Sequence, residues 1–235
     1  MIQDPPLLKI RRVSSVINKE SLLSLRGIPL GHLVDAMDGR GALDHRIKLL
    51  EGYPADTMMV GPALTCHCGP GDNLALCAAI AAANPGDVIV AATDAYEGTC
   101  LTGDLLMGMA KNCKIAGLVT DGLVRDTSGI REVGLPVFSK GITTNSPVRN
   151  GPGTVGFPVV LGGVCVASRD IIVAGVDGVV VIPRVQFQVV LSRLPGIKAA
   201  EMETEQAVDD GKEMMDSVKE ILNSDKVQYF DDPSV

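Results

Sequence analysis

The sequence predicts an α/β fold flanked by helical segments at both ends. Between residues 57 and 121, apolar runs of strand length alternate with helix-length stretches, the pattern that builds strand–helix–strand crossovers and a parallel sheet. The stretch before it carries a helix cap and glycine stops, and the chain from Arg184 onward is again helical. At 235 residues the chain suffices for one large domain or two small ones, and such a chain buries about three quarters of its unfolded surface.

The elements follow in order. SSVINKESLLSLRG, residues 14–27, reads as a helix with a Ser cap and a Gly stop, and GHLVDAMDGRG, residues 31–41, as a second short helix ending in glycines. TMMVGPALTCHC is strand-like. DNLALCAAIAAA reads as a buried helix closed by Asn84, Pro85 and Gly86. The apolar run from Asp87 to Asp94 is the next strand; a short Gly-containing loop leads to a helix in TGDLLMGMAKN, and the run from Ile115 to Asp121 is a further strand. TSGIREVG reads as a short helix. From Pro136 to Pro183 short Val-rich strands replace the alternation, with no helical stretch between them, which predicts a second, more antiparallel or mixed sheet layer. Within it GITTNSPVRNGPGTVG, residues 141–156, reads as one long loop, a length that points to function or an interface. From Arg184 onward the chain is again helical, polar and acidic, and needs a partner surface.

The chemistry-bearing residues are Asp104 and the adjacent pair Arg125 and Asp126. Twenty residues separate Asp104 from Arg125, the length of one strand–helix unit, and each acid is expected where a strand has just ended. Two crossover units therefore bring two carboxylates and a guanidinium to one sheet edge, where open α/β folds place ligand chemistry. Carboxylates suit a divalent cation; a guanidinium suits an anionic substrate or a developing oxyanion. Asp104 follows Gly103 at a helix start, so the amides of Leu105 and Leu106 have no intrahelical partner and form an anion seat. A plain helix cap accounts for Asp104 alone, and a surface salt bridge for Arg125 and Asp126 alone; their joint spacing favours a site. Asn73, in GPGDN, opens a helix where its amide can donate to a carboxylate; no G-x-G-x-x-G accompanies that turn. Asp121, before Gly122, suits a structural turn.

The string PGDNLALCAAIAAANPGDVIVA, followed by GDLL and then by DGLVRD, resembles the family that joins class II 4-hydroxy-4-methyl-2-oxoglutarate and 4-carboxy-4-hydroxy-2-oxoadipate aldolases with the regulator of ribonuclease E activity A. The similarity runs from about Asp35 to Pro183. It implies a single domain over residues 1–235, with a core at about 35–183 and a C-terminal helical segment at 184–235. The implied architecture is a three-layer β/β/α arrangement similar to the swivelling phosphohistidine-type domains, assembled as a homotrimer or a hexamer made of two trimers. Asn73 becomes a substrate contact, and the acid that a neighbouring subunit brings to the site is best matched by Glu201, with Glu203 and Glu205 close by. Asp126 is then the direct metal ligand, for Mg²⁺ or Mn²⁺, and Arg125 faces the keto oxygen, since adjacent residues in a turn can point to different sides. The implied activity is metal-dependent retro-aldol cleavage of a 4-hydroxy-2-oxo di- or tricarboxylic acid to pyruvate and a second 2-oxo acid, as in aromatic compound catabolism. Oxaloacetate decarboxylation should accompany it, because the same enolate forms. The alternative within the family is a non-catalytic regulator that binds ribonuclease E.

Composition narrows the partners. A net charge of −7 and a pI near 5.0 argue against nucleic acid or an anionic membrane as a general ligand. No apolar run approaches the roughly 18–20 residues a membrane span needs, and MIQDPPLLKIRRV lacks a secretory h-region, so cytoplasm is the expected location. Hydrophobic content of 46% with a mean hydropathy of +0.25 points to apolar surface covered between subunits. The six cysteines read as reduced, mostly buried thiols. Cys66, His67 and Cys68 do not suit zinc, since strand alternation turns the imidazole away from the thiols. His32 and His45 are expected at the surface or an interface. Lys111 and Lys114 lie downstream of the cluster, which disfavours a Schiff base, and Arg149 or Arg169 is expected to read the C4 substituent of the substrate.

Overall fold

A computed structural model describes residues 6–13 and 17–231, and the chain divides between Leu194 and Pro195 into two compact units. The first unit begins with strand β1 (Leu8–Ile10). Helix α1 (Lys19–Leu23) is shorter than its sequence suggests. Its cap is Asn18, whose side chain accepts from Glu20 and Ser21 amides, while the expected Ser14–Ser15 cap lies outside the described residues. Helix α2 (Leu30–Ala36) buries Leu30, His32, Leu33 and Ala36, so His32 belongs to the interior and not to the surface; His45 is exposed beside Asp44.

The alternating middle folds as expected, with additions. After β2 (Lys48–Leu49) come the long strand β3 (Met59–His67), helix α3 (Leu74–Ala82) and strand β4 (Val88–Ala92). A short strand, β5 (Cys100–Thr102), precedes helix α4 (Asp104–Asn112) and strand β6 (Gly117–Thr120); another, β7 (Leu123–Val124), precedes helix α5 (Thr127–Val133) and strand β8 (Val137–Ser139). Strands β3, β4, β6 and β8 are parallel neighbours in that order. They are joined by helical crossovers, as the alternation requires.

The Val-rich stretch divides between two layers. Strand β8 and strand β10 (Gly153–Val155) join the main sheet, β10 antiparallel to the end of β3; the second layer starts later, with hairpin β11 (Val159–Leu161) and β12 (Val164–Val166) and hairpin β13 (Ile171–Gly175) and β14 (Gly178–Ile182), whose β13 pairs antiparallel with the start of β3 (residues 59–62) and so continues the main sheet into that layer. A single short strand carries no periodicity that tells which layer it enters. Strand β9 (Gly141–Ile142) and β10 shorten the expected 141–156 loop to residues 143–152.

Alternation along the buried strands makes two cores. Leu64, Cys66, Ile89, Ala91, Leu118 and Val137 face Ala75, Leu76, Ala79, Met107, Ala110 and Ile130 of the helices. Ala63, Val88, Val90, Val119 and Phe138 face Leu161, Val166, Ile172, Ala174, Val179 and Val181 of the second β layer. This is helices, sheet, sheet: a three-layer α/β fold. Cys66 and Cys68 share the helix-side core, where their mutual hydrogen bond and burial hold the Cys66 thiol well above its ordinary pKa, while His67 donates or accepts at 3.0 Å with Asp94 on the opposite side. All six cysteines are free thiols.

Helix α6 (Phe187–Asp209) closes the first unit by burying Phe187, Val190 and Leu194, spaced three and four residues apart as one helical stripe requires. Pro195 interrupts the helix ladder at the unit boundary. The second unit, the rest of α6 and helix α7 (Asp216–Leu222), is exposed along most of its length. Residues 195–235 hold 11 of the chain's 28 acids and 4 of its 21 Lys and Arg, so the whole net charge of −7 resides there. Among the described residues no helix is long and apolar enough to cross a membrane.

Candidate functional site

The cluster is placed by a small sheet that the sequence reading does not foresee. Strands β5, β7 and β9 pair in parallel, and their C-terminal ends open onto one cleft. Asp104 follows β5, Arg125 and Asp126 follow β7, and the loop carrying Ser146 and Arg149 follows β9. The expectation that each acid stands where a strand ends holds, but the strands concerned are these short ones and not the long runs 87–94 and 115–121. Strands of two or three residues leave too few side chains for a period-2 signal.

The cleft has a volume of about 320 Å³ and is lined by Asn73, Gly103, Asp104, Leu106, Arg125, Asp126 and Arg149, with Cys100, Thr102 and Ser146 among its walls. Arg125 is anchored on both sides: Nε donates to Asp126 Oδ2 at 3.1 Å and Nη1 to Ser146 Oγ at 2.7 Å. Asp126 sits in the left-handed region at φ 54°, a conformation Asp tolerates better than most residues. That turn lays its carboxylate against Gly103, where an added Cβ would lie 2.5 Å from Oδ2. The Asp104 carboxylate rests on Gly129 of α5 in the same way, with room only for hydrogen: a Cβ there would clash with Oδ2. Two glycines thus make space for two carboxylates.

Met107 N–H makes the first intrahelical bond of α4, to Gly103 at 3.2 Å, so the amides of Asp104, Leu105 and Leu106 lie ahead of the ladder. One of the expected anion donors is engaged: the Leu105 amide donates to Asp104 Oδ1 at 2.7 Å. Asn73 is buried. Its Nδ2 donates to Leu101 at 3.0 Å and its Oδ1 accepts from Arg149 Nε at 2.9 Å. Arg149 therefore joins Arg125 as a second guanidinium on the cleft, Nε bound to protein and the two Nη groups directed away from that bond by the planar fork. Ser146 and Cys100 come from the loop and from strand β5, whose courses the sequence does not predict. Burial pushes the Cys100 thiol up, keeping it a neutral part of the wall.

Other expected residues fall elsewhere. Arg169 cannot read a substrate here, because it is buried in a two-pronged ion pair with Asp87, at 2.7 and 2.8 Å. Asp121 is structural as expected: its carboxylate accepts from the Thr93 amide and hydroxyl and from the Ala95 amide, tying two strand ends together. Among the described residues no lysine lines the cleft, and Lys111 donates to the Val133 carbonyl at the end of α5. Glu201, Glu203 and Glu205 lie in the second unit, exposed on α6.

Among the described residues no three His, Cys, Asp or Glu side chains converge as a ready-made metal cage. Asp104 and Asp126 fit a different kind of ion: Mg²⁺ and Mn²⁺ take oxygen donors, and Mg²⁺ retains several waters while one or two carboxylates hold it. The glycine cradles that seat both carboxylates at the cleft agree with that donor set.

Comparisons with known proteins show the family and the fold. The Aldolase/RraA family model, RraA-like, matches residues 31–181. A protein of Halalkalibacterium halodurans with the provisional name 4-hydroxy-4-methyl-2-oxoglutarate aldolase is 38% identical over 192 residues, which are 80% of this chain and 89% of that protein. The fold matches an uncharacterized protein from Pseudomonas syringae pv. tomato with a TM-score of 0.73 at 26% identity, over 84% of this chain and 92% of that one. It also matches an unusual Streptomyces coelicolor member of the RNase ES inhibitor RraA protein family, with a TM-score of 0.71 at 27% identity, over 82% and 99%. The chain belongs to the Aldolase/RraA family.

Proposed function

We propose that this cleft performs divalent-metal-dependent retro-aldol cleavage of a 4-hydroxy-2-oxo di- or tricarboxylic acid, releasing pyruvate and a second 2-oxo acid. The observation that carries it is the meeting of Arg125, Asp126, Asp104 and Arg149 on one cleft without a lysine. Asp126, with Asp104 through ordered water, would hold Mg²⁺ or Mn²⁺, which when bound supplies Lewis-acid polarisation of the keto oxygen. Arg125 faces that same oxygen, and its guanidinium stabilises the charge that gathers there as the C3–C4 bond breaks. The C4 hydroxyl loses its proton to water ordered by the carboxylates, becoming the carbonyl of the second product; the enolate left behind takes a proton at C3 to give pyruvate. Loss of carbon dioxide from oxaloacetate yields the same enolate, so decarboxylation follows from the same groups. Arg149 and the Leu106 amide, both at the cleft, would take carboxylates of the substrate.

The test is pyruvate release from oxaloacetate and from 4-hydroxy-4-methyl-2-oxoglutarate, with EDTA and with Mg²⁺ or Mn²⁺ added back. Activity should vanish and return. Full activity in EDTA, with borohydride inactivation in the presence of pyruvate, would point to a Schiff base and overturn the reading.

A second reading, a protein that binds and inhibits an RNase E-type ribonuclease, draws on the likeness to the Streptomyces coelicolor protein and to a Thermus thermophilis structure named as the RNA-processing inhibitor RraA, at 26% identity and a TM-score of 0.60. Inhibition of such a ribonuclease, in Mg²⁺, by the Asp126→Ala protein would favour it over the enzyme.

A further inference from the structure

The GPGDN turn does more in this structure than open a helix. Asp72 is 7% exposed, and its carboxylate takes three backbone donors. Oδ1 accepts from the Leu74 amide at 2.8 Å, and Oδ2 accepts from the amides of Asn150 and Gly151 at 2.5 and 2.9 Å. Backbone bonds run alongside: Asn73 N–H to Val148 at 3.0 Å and Val148 N–H to Gly71 at 2.8 Å. The turn and the loop after β9 are therefore clamped as one piece, and that loop supplies Ser146 to Arg125 and, one residue before the clamped amides, Arg149 itself. Asn73, next to Asp72, holds Arg149 Nε.

We propose that Asp72 is a positioning residue that sets the Arg149 guanidinium at a fixed place on the cleft, so that the site prefers 2-oxo acids with a second, distal carboxylate over simple 2-oxo monoacids. This rests on the reading of the cleft as a 2-oxo acid site and adds to it which residue fixes the specificity. The physics is that of a buried carboxylate with all its bonds to backbone donors. It cannot turn to follow a ligand, and the loop it holds cannot slide without leaving the charge unsatisfied. A guanidinium on a loose loop would lose most of its discrimination to the entropy of ordering it at each binding event.

The experiment is calorimetric binding of 2-oxoglutarate and of pyruvate, each with Mg²⁺ present, to the full-length protein and to Asp72→Asn, Arg149→Ala and the double variant. No turnover is needed. The ratio of the two affinities should favour the dicarboxylate in the unaltered protein and fall about tenfold in each single variant, the size of one charge-assisted hydrogen bond. The double variant should fall no further, because Asp72 acts through Arg149. An unchanged ratio in Asp72→Asn, an equal loss for both acids, or a double variant that loses the product of the two single effects overturns the inference while leaving the cleft reading intact. If the unaltered protein binds neither acid, the cleft reading fails and takes the inference with it. Should Asp72→Asn not fold, Asn150→Pro removes one of the same bonds from the loop side, and the same outcomes apply.

Discussion

Arg125 Nε and Asp126 Oδ2 lie 3.1 Å apart, although the two residues are neighbours in the chain and would ordinarily diverge. The left-handed turn at Asp126 brings the carboxylate back alongside the guanidinium, so one acid can accept from Arg125 through Oδ2 while Oδ1 serves a cation. Asp126→Ala should therefore lower metal-dependent pyruvate release about 10²-fold or more, as removal of a key electrostatic group does. Titration with Mn²⁺ should show that saturating metal does not restore it. Activity within threefold of the unaltered protein would remove Asp126 from the metal site.

Arg125 is held at two points, by Asp126 and by Ser146 at 2.7 Å, which fixes the plane of its fork. Lysine offers a point charge and cannot make both contacts. Arg125→Lys should therefore reduce kcat by about tenfold or more while the metal concentration for half-maximal activity moves less than threefold. Retained turnover within about twofold would show that the guanidinium does not face the reacting oxygen.

Gly103→Ala tests the cradle and leaves the backbone alone. Gly103 is extended at φ −139°, a conformation any residue adopts, so the fold should tolerate the methyl group. The methyl group would stand 2.5 Å from Asp126 Oδ2, and the carboxylate must move. Loss of activity of about 10²-fold is the scale of an ångström-sized displacement in an active site. The thermal midpoint should stay within a few degrees; a large drop would mean that the cradle supports the fold and not the site.

What the sequence discloses follows the length of its signals. The strands of five or more residues and helices α3 to α5 are legible, because a run such as VIVAA or a helix closed by Asn84, Pro85 and Gly86 repeats its pattern enough times to be read. The spacing of Asp104 from Arg125 is legible for the same reason, since it counts a whole strand–helix unit. Strands β5 and β7 are not: three and two residues have no period, and their pairing is a long-range event that local sequence does not record. Ser146 is hidden by its loop, and Arg149 is a candidate that the sequence cannot tell from Arg169, because the course of that loop is set by Asp72, nearly eighty residues away in sequence. Arg169 looks like any loop arginine until the fold buries it against Asp87.

That buried pair gives a prediction about stability alone. Both side chains are almost wholly enclosed, and Asp87 also accepts from the Asn84 amide at 2.9 Å. Removing one partner leaves a charge in the interior, so Asp87→Ala should destabilise the fold by about 3–5 kcal/mol. Denaturant midpoints measure this. Neither residue lines the cleft, so the protein that remains folded should keep its affinity for oxalate as a pyruvate-enolate analogue; a selective loss of that affinity would tie Arg169 to the site after all.

Glu201, which the family resemblance assigns to a neighbouring subunit's site, lies in the acidic second unit of this chain. If the protein is an oligomer with shared sites, Asp126→Ala and Glu201→Ala should each be inactive for different reasons: one lacks the cation's carboxylate, the other the acid that orders water on the far side. Mixing the two and allowing subunits to exchange would then form some interfaces that pair an intact Asp126 with an intact Glu201. In a trimer with random exchange, partial activity should return, because a fraction of sites receives both groups from different chains. Truncation after Leu194 should abolish activity for the same reason while the first unit, with both of its cores intact, still folds. Light scattering that shows an active monomer, or mixed subunits that stay inactive after exchange is demonstrated, would refute the shared site and leave Glu201 without a role in catalysis.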